Sequence, residues 1–416
     1  MSDTRRSPYL LLKQRGFVLY WTARVLSNLS MQVTSVAVGW YVYDVTRDPL
    51  DLGFVGLAQF LPALVLVLFT GQAADRFNRR RIMALCMALE AGCAATLLYF
   101  AFQPGHAIWP IFVVLTAFGC ARAFMGPAAL SLLPNIVSAE DLPNAIALNS
   151  SSWQAATILG PVIGGLLYGI SAEAAYGTAI AMFAIGALCA IAVPQPAQKI
   201  VREPTSWAVL SAGFRFIWKQ QIVFGAITLD LFAVLLGGAT ALLPVYARDI
   251  LDVGPWGLGL LRSAPGIGAI VMGLYLAVRP IENHAGMKMF FAVGLFGLLT
   301  IIFGISTAPW LSIAALALMG AADMISVYVR QTLVQLVTPD NMRGRVNAVN
   351  MVFVGASNEL GEFRAGVSAS WIGTIPAVVI GGIGTMAVAV LWAARYPQLR
   401  RVRRLTADVG HESNRH

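Results

Sequence analysis

Long apolar stretches, each close to the length a helix needs to cross a lipid bilayer, recur along this chain from near Phe17 to near Ala394. A helix rises about 1.5 Å per residue, so about 20 residues cover the roughly 30 Å of hydrocarbon. Lipid offers backbone N–H and C=O groups no partners, so open-ended segments of this kind must be helices that satisfy their own hydrogen bonds. Composition agrees with an all-α membrane protein. Of 416 residues, 58% are hydrophobic and 12% charged, with a mean hydropathy of +0.71, and one water-soluble core could not hide that much apolar surface.

Breaks at clusters of charge, Gly and Pro place twelve spans at about 17–43, 50–70, 82–102, 107–133, 144–170, 174–193, 221–246, 256–278, 287–306, 309–337, 346–371 and 374–394. Lys13 and Arg15 precede the first span as they would a cleavable signal. That span is too long for one, contains Asn28 and is followed by others, so it reads as a mature helix.

Orientation follows from the bias of Lys and Arg in short loops. Arg5, Arg6, Lys13 and Arg15 precede the first span, Arg76, Arg79, Arg80 and Arg81 follow the second, and Lys199, Arg202, Arg215 and Lys219 follow the sixth. Arg279 and Lys288 follow the eighth, Arg343 and Arg345 the tenth, and Arg400, Arg401, Arg403 and Arg404 the last. Opposite loops, such as 103–106 and 306–309, carry almost no positive charge, so both termini are expected in the cytoplasm.

The longest polar interruption divides the chain into residues 1–193, a linker at 194–220, and residues 221–416, which end in a short basic tail. Within the linker Trp207, Leu210, Phe214 and Ile217 recur at helical spacing, the pattern of an amphipathic helix lying on a membrane surface. The flanking parts echo each other. Residues 137–142 and 337–342 share the order Val, hydroxyl, acid or amide, aliphatic, and each segment joins the fourth span of its half to the fifth. A duplicated six-helix unit, giving two pseudo-symmetric bundles, accounts for this.

The net charge of +9 does not point to nucleic acid, because the basic residues alternate with apolar spans rather than forming one stripe. Cys86, Cys93, Cys120 and Cys189 lie in apolar stretches without paired spacing or neighbouring His, and read as packing residues rather than disulfides or a metal site.

Between the second and third spans stands Gly71-Gln72-Ala73-Ala74-Asp75-Arg76-Phe77-Asn78-Arg79-Arg80. Gly71 permits close backbone approach at a helix end, and Asp75 is an anion at a buried edge that needs a positive partner. Topology anchoring alone would explain Arg76, Arg79 and Arg80 but not Gly71 and Asp75. The segment resembles the Gly-x-x-x-Asp-Arg-x-x-Arg-Arg signature of the major facilitator superfamily at every defining position. The resemblance implies that the acid holds a cytoplasmic gate against the eleventh helix, with Arg343 and Arg345 as its candidate partners. No comparable loop follows the eighth span, where residues 278–283 read Val-Arg-Pro-Ile-Glu-Asn.

Two further segments resemble that superfamily. Arg122, Gly126 and Ala129 are similar to its arginine-bearing fourth-helix motif, and residues 159–165, with Gly160, Pro161, Gly164 and Gly165, to the Gly-Pro-x-x-Gly-Gly segment of its exporters. Pro161 permits a kink and the glycines permit close helix packing, so this stretch reads equally as a hinge and as a packing seam. The order of segments from residues 24–27 through 128–134 to 344–347 looks most like the enterobactin-exporter and macrolide-efflux branch. That likeness implies a bacterial inner-membrane carrier that works as a monomer on a small organic molecule.

Charged residues inside spans narrow the transport path. Arg24, Glu90, Arg122, Asp230, Asp323, Arg330, Glu359, Glu362 and Arg364 would each cost about 2.5–3.5 kcal/mol facing lipid at a helix centre, so they should face a cavity or one another. Glu359 and Glu362 share a helix face, as Asp323 and Arg330 also do by their spacing. Two carboxylates in one dry site favour holding a proton between them, so Glu362, and after it Glu359, is expected to couple proton entry to cargo release. Arg24, Arg122, Asp230, Asp323 and Arg330 complete the expected path, and Glu90 comes last among the acids. Structural pairing remains the alternative for each residue.

No phosphate-binding Gly-x-x-x-x-Gly-Lys-Ser/Thr loop is present, so the expected energy source is an ion gradient, of protons, with no cofactor. A membrane enzyme is disfavoured because neither His-Glu-x-x-His nor Gly-x-Ser-x-Gly occurs and no catalytic set emerges. Proton-coupled uptake on the same fold is the alternative to export.

Overall fold

The structure, a computed structural model, describes residues 8–103, 107–194 and 207–405. Arg5, Arg6, Lys199 and Arg202 of the charge bias, and most of the loop at 103–106, lie outside the described residues. After a 3-10 turn at Pro8–Lys13, the first six long helices are α1 (Arg15–Thr46), α2 (Pro49–Arg76), α3 (Arg79–Ala101), α4 (Trp109–Ile136), α5 (Leu142–Ile170) and α6 (Ala172–Ala192). Then come the linker helix α7 (Trp207–Lys219), α8 (Gln221–Gly237), the one-turn α9 (Leu243–Val245) and α10 (Gly254–Val278). The chain continues through α11 (Ala285–Ile305), α12 (Pro309–Val337), α13 (Asp340–Ile372), α14 (Thr374–Arg395) and the short α15 (Pro397–Arg401).

Local chemistry sets these boundaries. Arg47 adopts a left-handed φ of 56°, which ends α1. Asp48 then caps α2, its Oδ1 accepting from the Leu50 N–H at 2.9 Å, with Pro49 at the first helical position where no N–H is needed. Ser171 caps α6 in the same way through the Ala174 N–H.

Ten helices among the described residues are long and apolar enough to cross a membrane. α1 and α13 complete the twelve spans. At 32 and 33 residues they are long enough, but more polar. Polarity in α13 comes from Arg343, Arg345, Glu359 and Glu362, residues of the candidate site, and from Arg364.

Two compact units divide the chain. The first comprises Met1–Thr46, Ala58–Thr205 and Gly254–Gly259, and the second Arg47–Leu57, Ser206–Val253 and Leu260–His416. Helices α2 and α10 thus change unit along their length. The first unit is cored by Phe17, Tyr20, Met83, Met87, Ala128 and Leu132, all of them buried. In the second, Val223, Leu229, Met289, Val293, Val329 and Leu333 do the same work.

The seventh span departs from the unbroken 221–246 segment expected from hydropathy. α8 stops at Gly237, and the chain continues through a 3-10 turn at Thr240–Leu242, α9, and a π turn at Tyr246–Ile250. Pro244 cannot donate to a continuing helix, and a side chain at Gly237 would lie 2.6 Å from Thr385 Oγ1 and 2.8 Å from a Phe296 ring carbon. The carbonyls released at the end of α8 are claimed by α13. Arg364 donates to Leu235 O at 2.8 Å and to Leu236 O at 2.6 Å, so this intramembrane arginine is spent on a broken helix end.

The amphipathic helix expected in the linker is α7. Gly213 lies close to the Arg345 backbone, Ile217 is buried, and Phe214 stacks on Phe353 with ring centroids 6.2 Å apart. The face that docks on the start of α13 therefore includes part of the expected stripe. The side chains of Trp207 and Leu210 lie outside the described residues.

Replacing Arg364 by Ala strands two carbonyls in a low-dielectric interior and should cost about 2–3 kcal/mol. Arg364→Lys, with no fork, should recover part of this. Unfolding titrations in mixed micelles read both values, and a wild-type Arg364→Ala curve would contradict the capping role.

Candidate functional site

The loop between α2 and α3 that carries the Gly71–Arg80 motif is built as a set of helix-end contacts within the first unit. Asp75 pairs with Arg79 at 3.8 Å, one helical turn apart. Arg79, nearly buried, donates to Ala74 O at 2.9 Å and to Ser131 O of α4 at 2.8 Å, and Arg80 donates to Val193 O just past α6 at 2.7 Å. Two of the expected gating arginines therefore tie α3 to α4 and α6. Arg76 is exposed and Gly71 half-buried. The expected partners lie in the second unit, where Arg343 donates to Gln335 O at 3.5 Å and Arg345 approaches the Met342 sulfur at 3.7 Å.

Three groups of charge are held inside the helices. In the first unit, Glu90 of α3 is buried and interacts electrostatically with Arg122 of α4 and Arg24 of α1. Its Oε2 and the Arg24 Nε have no hydrogen-bond partner among the described residues. Glu90, placed last by sequence reasoning, is therefore the acid that brings Arg24 and Arg122 together. Arg122 shares an open face with Gly126, where an added methyl group would meet nothing within 4 Å.

In the second unit Asp230 of α8 pairs with Arg330 of α12 at 3.3 Å, and Arg330 also donates to Asn350 of α13 at 3.0 Å. All three are buried. Asp323 and Arg330, expected to share a face of α12, interact electrostatically, and the ion pair of Arg330 is made across helices to Asp230. Asp323 joins Asp230, Ser326 and Phe296 around a small cavity. Two carboxylates and one guanidinium meet here.

The third group lies farther along α13, also in the second unit. A methyl group at Gly56 of α2 would sit 3.1 Å from Glu359 Oε2 and 3.4 Å from Glu362 Oε2, so both carboxylates converge on a glycine. Around it Gly53 meets the Phe363 backbone and Gly366 the Gly53 backbone, and Phe54 packs on Phe363 with centroids 5.4 Å apart. Arg262 of α10 interacts electrostatically with Glu362 and then Glu359. Sequence reasoning paired the two glutamates but missed Arg262 and Gly56. A lone arginine in an otherwise apolar span was the available signal for the first. Nothing in the sequence marks Gly56 among 39 glycines.

The expected hinge residues pack closely within the first unit. Gly160 lies on Gln32, Gly164 on Val33 of α1, and Gly165 against Pro255 and Gly259 at the start of α10, which in turn meets Pro161. Helix α5 runs unbroken through Pro161.

Residues 6–409 match the family model described as transmembrane secretion effector. Enterobactin exporter EntS of Shigella boydii serotype 18 is 25% identical over 421 residues, with 96% of each chain covered, and that of Escherichia coli O139:H28 matches at the same values. Among solved structures, a bacterial homolog to the human lysosomal transporter Spinster, inward-facing and occupied, superposes with a TM-score of 0.71 at 15% identity, covering 96% of this chain and 98% of that one. The nucleoside transporter NupG gives 0.69 at 16% identity, covering 90% and 98%. These two likenesses are of fold.

Removing Asp230 as Ala takes the ion-pair partner from buried Arg330, leaving it Asn350 and the electrostatic interaction with Asp323, and should cost about 3 kcal/mol. The double variant Asp230→Leu with Arg330→Met should lie within about 1 kcal/mol of wild type. Unfolding titrations separate the two. Equal losses in both would show that the pair itself, and not the stranded charge, carries the effect.

Proposed function

We propose, from the premise that this chain belongs to the transmembrane secretion effector family, that it exports a small organic molecule in exchange for protons, with the Glu359–Glu362 pair as the coupling site. Its transport is secondary and outward. The coupling ion, the orientation and the residues below are our reading.

One observation carries it: two carboxylates of α13 converge on Gly56, and the Arg262 guanidinium interacts electrostatically with both. Fully ionised, this group has one negative charge in excess, and an excess charge in a low-dielectric interior is costly. One proton removes it. The carboxylate pair is therefore a place where protonation changes the energy of the packing between the first turns of α2 and the end of α13.

The Lys and Arg bias supports an inner-membrane protein with both termini cytoplasmic. In that orientation Gly53, Gly56 and Gly366 lie toward the outer face and the Asp75 loop toward the cytoplasm. A proton arriving from outside neutralises Glu362, and cargo leaves from the same side. The proton is then given up inside, restoring the charge that favours the starting packing. Gly71 and Asp75 serve the cytoplasmic gate, with Arg343 and Arg345 as partners in its closed state, and Gly160 and Pro161 act as the hinge of α5 between access states. The name of the enterobactin exporters supports a siderophore or a comparably bulky amphipathic compound as cargo, carried by a monomer.

Transport into inverted vesicles, across a panel of siderophores and antibiotics, identifies the cargo. With that cargo, Glu362→Gln should exchange substrate down its gradient at near wild-type rates, yet fail to accumulate it when a proton gradient is imposed. Accumulation equal to wild type would remove Glu362 from the coupling step.

A further inference from the structure

At one end of the second unit the chain builds a cleft that the transport reading does not use. Its walls are residues 280–283 between α10 and α11, Tyr328 and Thr332 of α12, and Arg404 with Leu405 after α15, and it encloses about 850 Å³ including space open to solvent. The wall from the C-terminal segment is fixed in place. Leu399 and Val402 are buried, and the Val402 and Arg403 carbonyls accept from the Gly286 and Ala285 N–H groups at 3.1 and 3.2 Å. These would otherwise be unsatisfied donors at the start of α11. The segment is thus a docked strap, and it orients Arg404 toward the cleft.

The polar lining is mostly of donors. Arg404, the Asn283 amide and the Tyr328 hydroxyl have no hydrogen-bond partner among the described residues. Thr332 already donates to Tyr328 O at 2.8 Å and offers only its lone pairs. Glu282 is the one carboxylate among the described lining residues. Against it stand Arg279, Lys288, Arg400, Arg401 and Arg403 on neighbouring segments, all exposed, which leaves the region strongly positive.

An apolar track leads to the cleft. Val271, Leu274, Tyr275 and Val278 of α10 recur at helical spacing on one face, and are exposed by 63, 66, 54 and 81%. The opposite side of that helix is used in packing, with Leu276 buried and Gly273 beside Met324 of α12. Val278 stands two residues before Pro280 of the cleft. A ligand that suits both parts has an anionic head and a long apolar tail, and a membrane surrounds this protein with such molecules.

We propose that this cleft binds the phosphate headgroup of an anionic phospholipid, whose acyl chains lie along the Val271–Val278 face of α10. Arg404 supplies the charge, Asn283 and Tyr328 supply directional hydrogen bonds, and the strap holds Arg404 in place. Loss of one arginine at such a surface corresponds to about a five-fold loss of affinity.

Native mass spectrometry of the detergent-purified full chain, titrated with phosphatidylglycerol or phosphatidylcholine, tests this. Wild type should bind phosphatidylglycerol in preference. Arg404→Gln should lose about five-fold, Tyr328→Phe, which deletes one hydroxyl and keeps the packing, should lose less, and Lys219→Gln, at an exposed lysine outside the cleft, should match wild type. Equal binding of the two lipids, or equal losses in Arg404→Gln and Lys219→Gln, would overturn the site in favour of diffuse surface charge. Unchanged binding in both Arg404→Gln and Tyr328→Phe would also overturn it. Displacement of the lipid by millimolar inorganic phosphate would make it a small-anion site and equally end the proposal.

Discussion

An ionised side chain that cannot reach water must find its partner inside the bundle, and this requirement organises the protein. The pair between Asp230 of α8 and Arg330 of α12, at 3.3 Å and buried on both sides, is its clearest instance. Apolar packing between helices in lipid is weakly specific, because lipid tails are as apolar as the helices. Partnered charge is specific. Arg330 fixes α8 and α12 to each other and reaches Asn350 of α13, while Arg364 of α13 caps the broken end of α8. Four bonds of this kind set the relation of three helices, and Glu90 with Arg24 and Arg122 does the corresponding work for α1, α3 and α4.

Among the contacts described above, the same arrangement brings together unequal numbers of the two signs. Each group sets two residues of one sign against one of the other, so none is neutral when all its members are ionised. A bundle made only for stability would gain by pairing charges fully or replacing them with apolar residues. Unmatched charge makes sense where a proton or a charged cargo supplies the balance for part of a cycle. That connects the energetics of the fold to coupled export more directly than the family's name does, since this fold serves many cargoes.

Much of this was legible in the sequence. Twelve spans fall within a few residues of their expected positions, because hydropathy reports burial in lipid directly. The amphipathic stripe gave α7, and the loop at Gly71–Arg80 with residues 159–165 pointed to the family. What escaped has physical reasons. The break after Gly237 depends on Arg364, 127 positions later in the chain, accepting the role of cap, and no local pattern announces that. Glu90 seemed peripheral because its partners come from α1 and α4. The shared face of Asp323 and Arg330 was legible from their spacing, but the carboxylate that pairs with Arg330 comes from another helix. Arg79 and Arg80, read as gate residues from the loop motif, also donate to carbonyls of α4 and just past α6, contacts that no local pattern announces. Gly56 matters only for what lies opposite, which is a property of the fold alone.

The central claim is that outward movement of cargo is tied to inward movement of protons. Purified protein in liposomes loaded with a pH-sensitive dye, with an imposed cargo gradient and no initial pH difference, tests it most directly. The account predicts that cargo flowing down its gradient drives protons the opposite way, visible as a pH change that an ionophore abolishes. Cargo flux of normal size with no proton movement would contradict it.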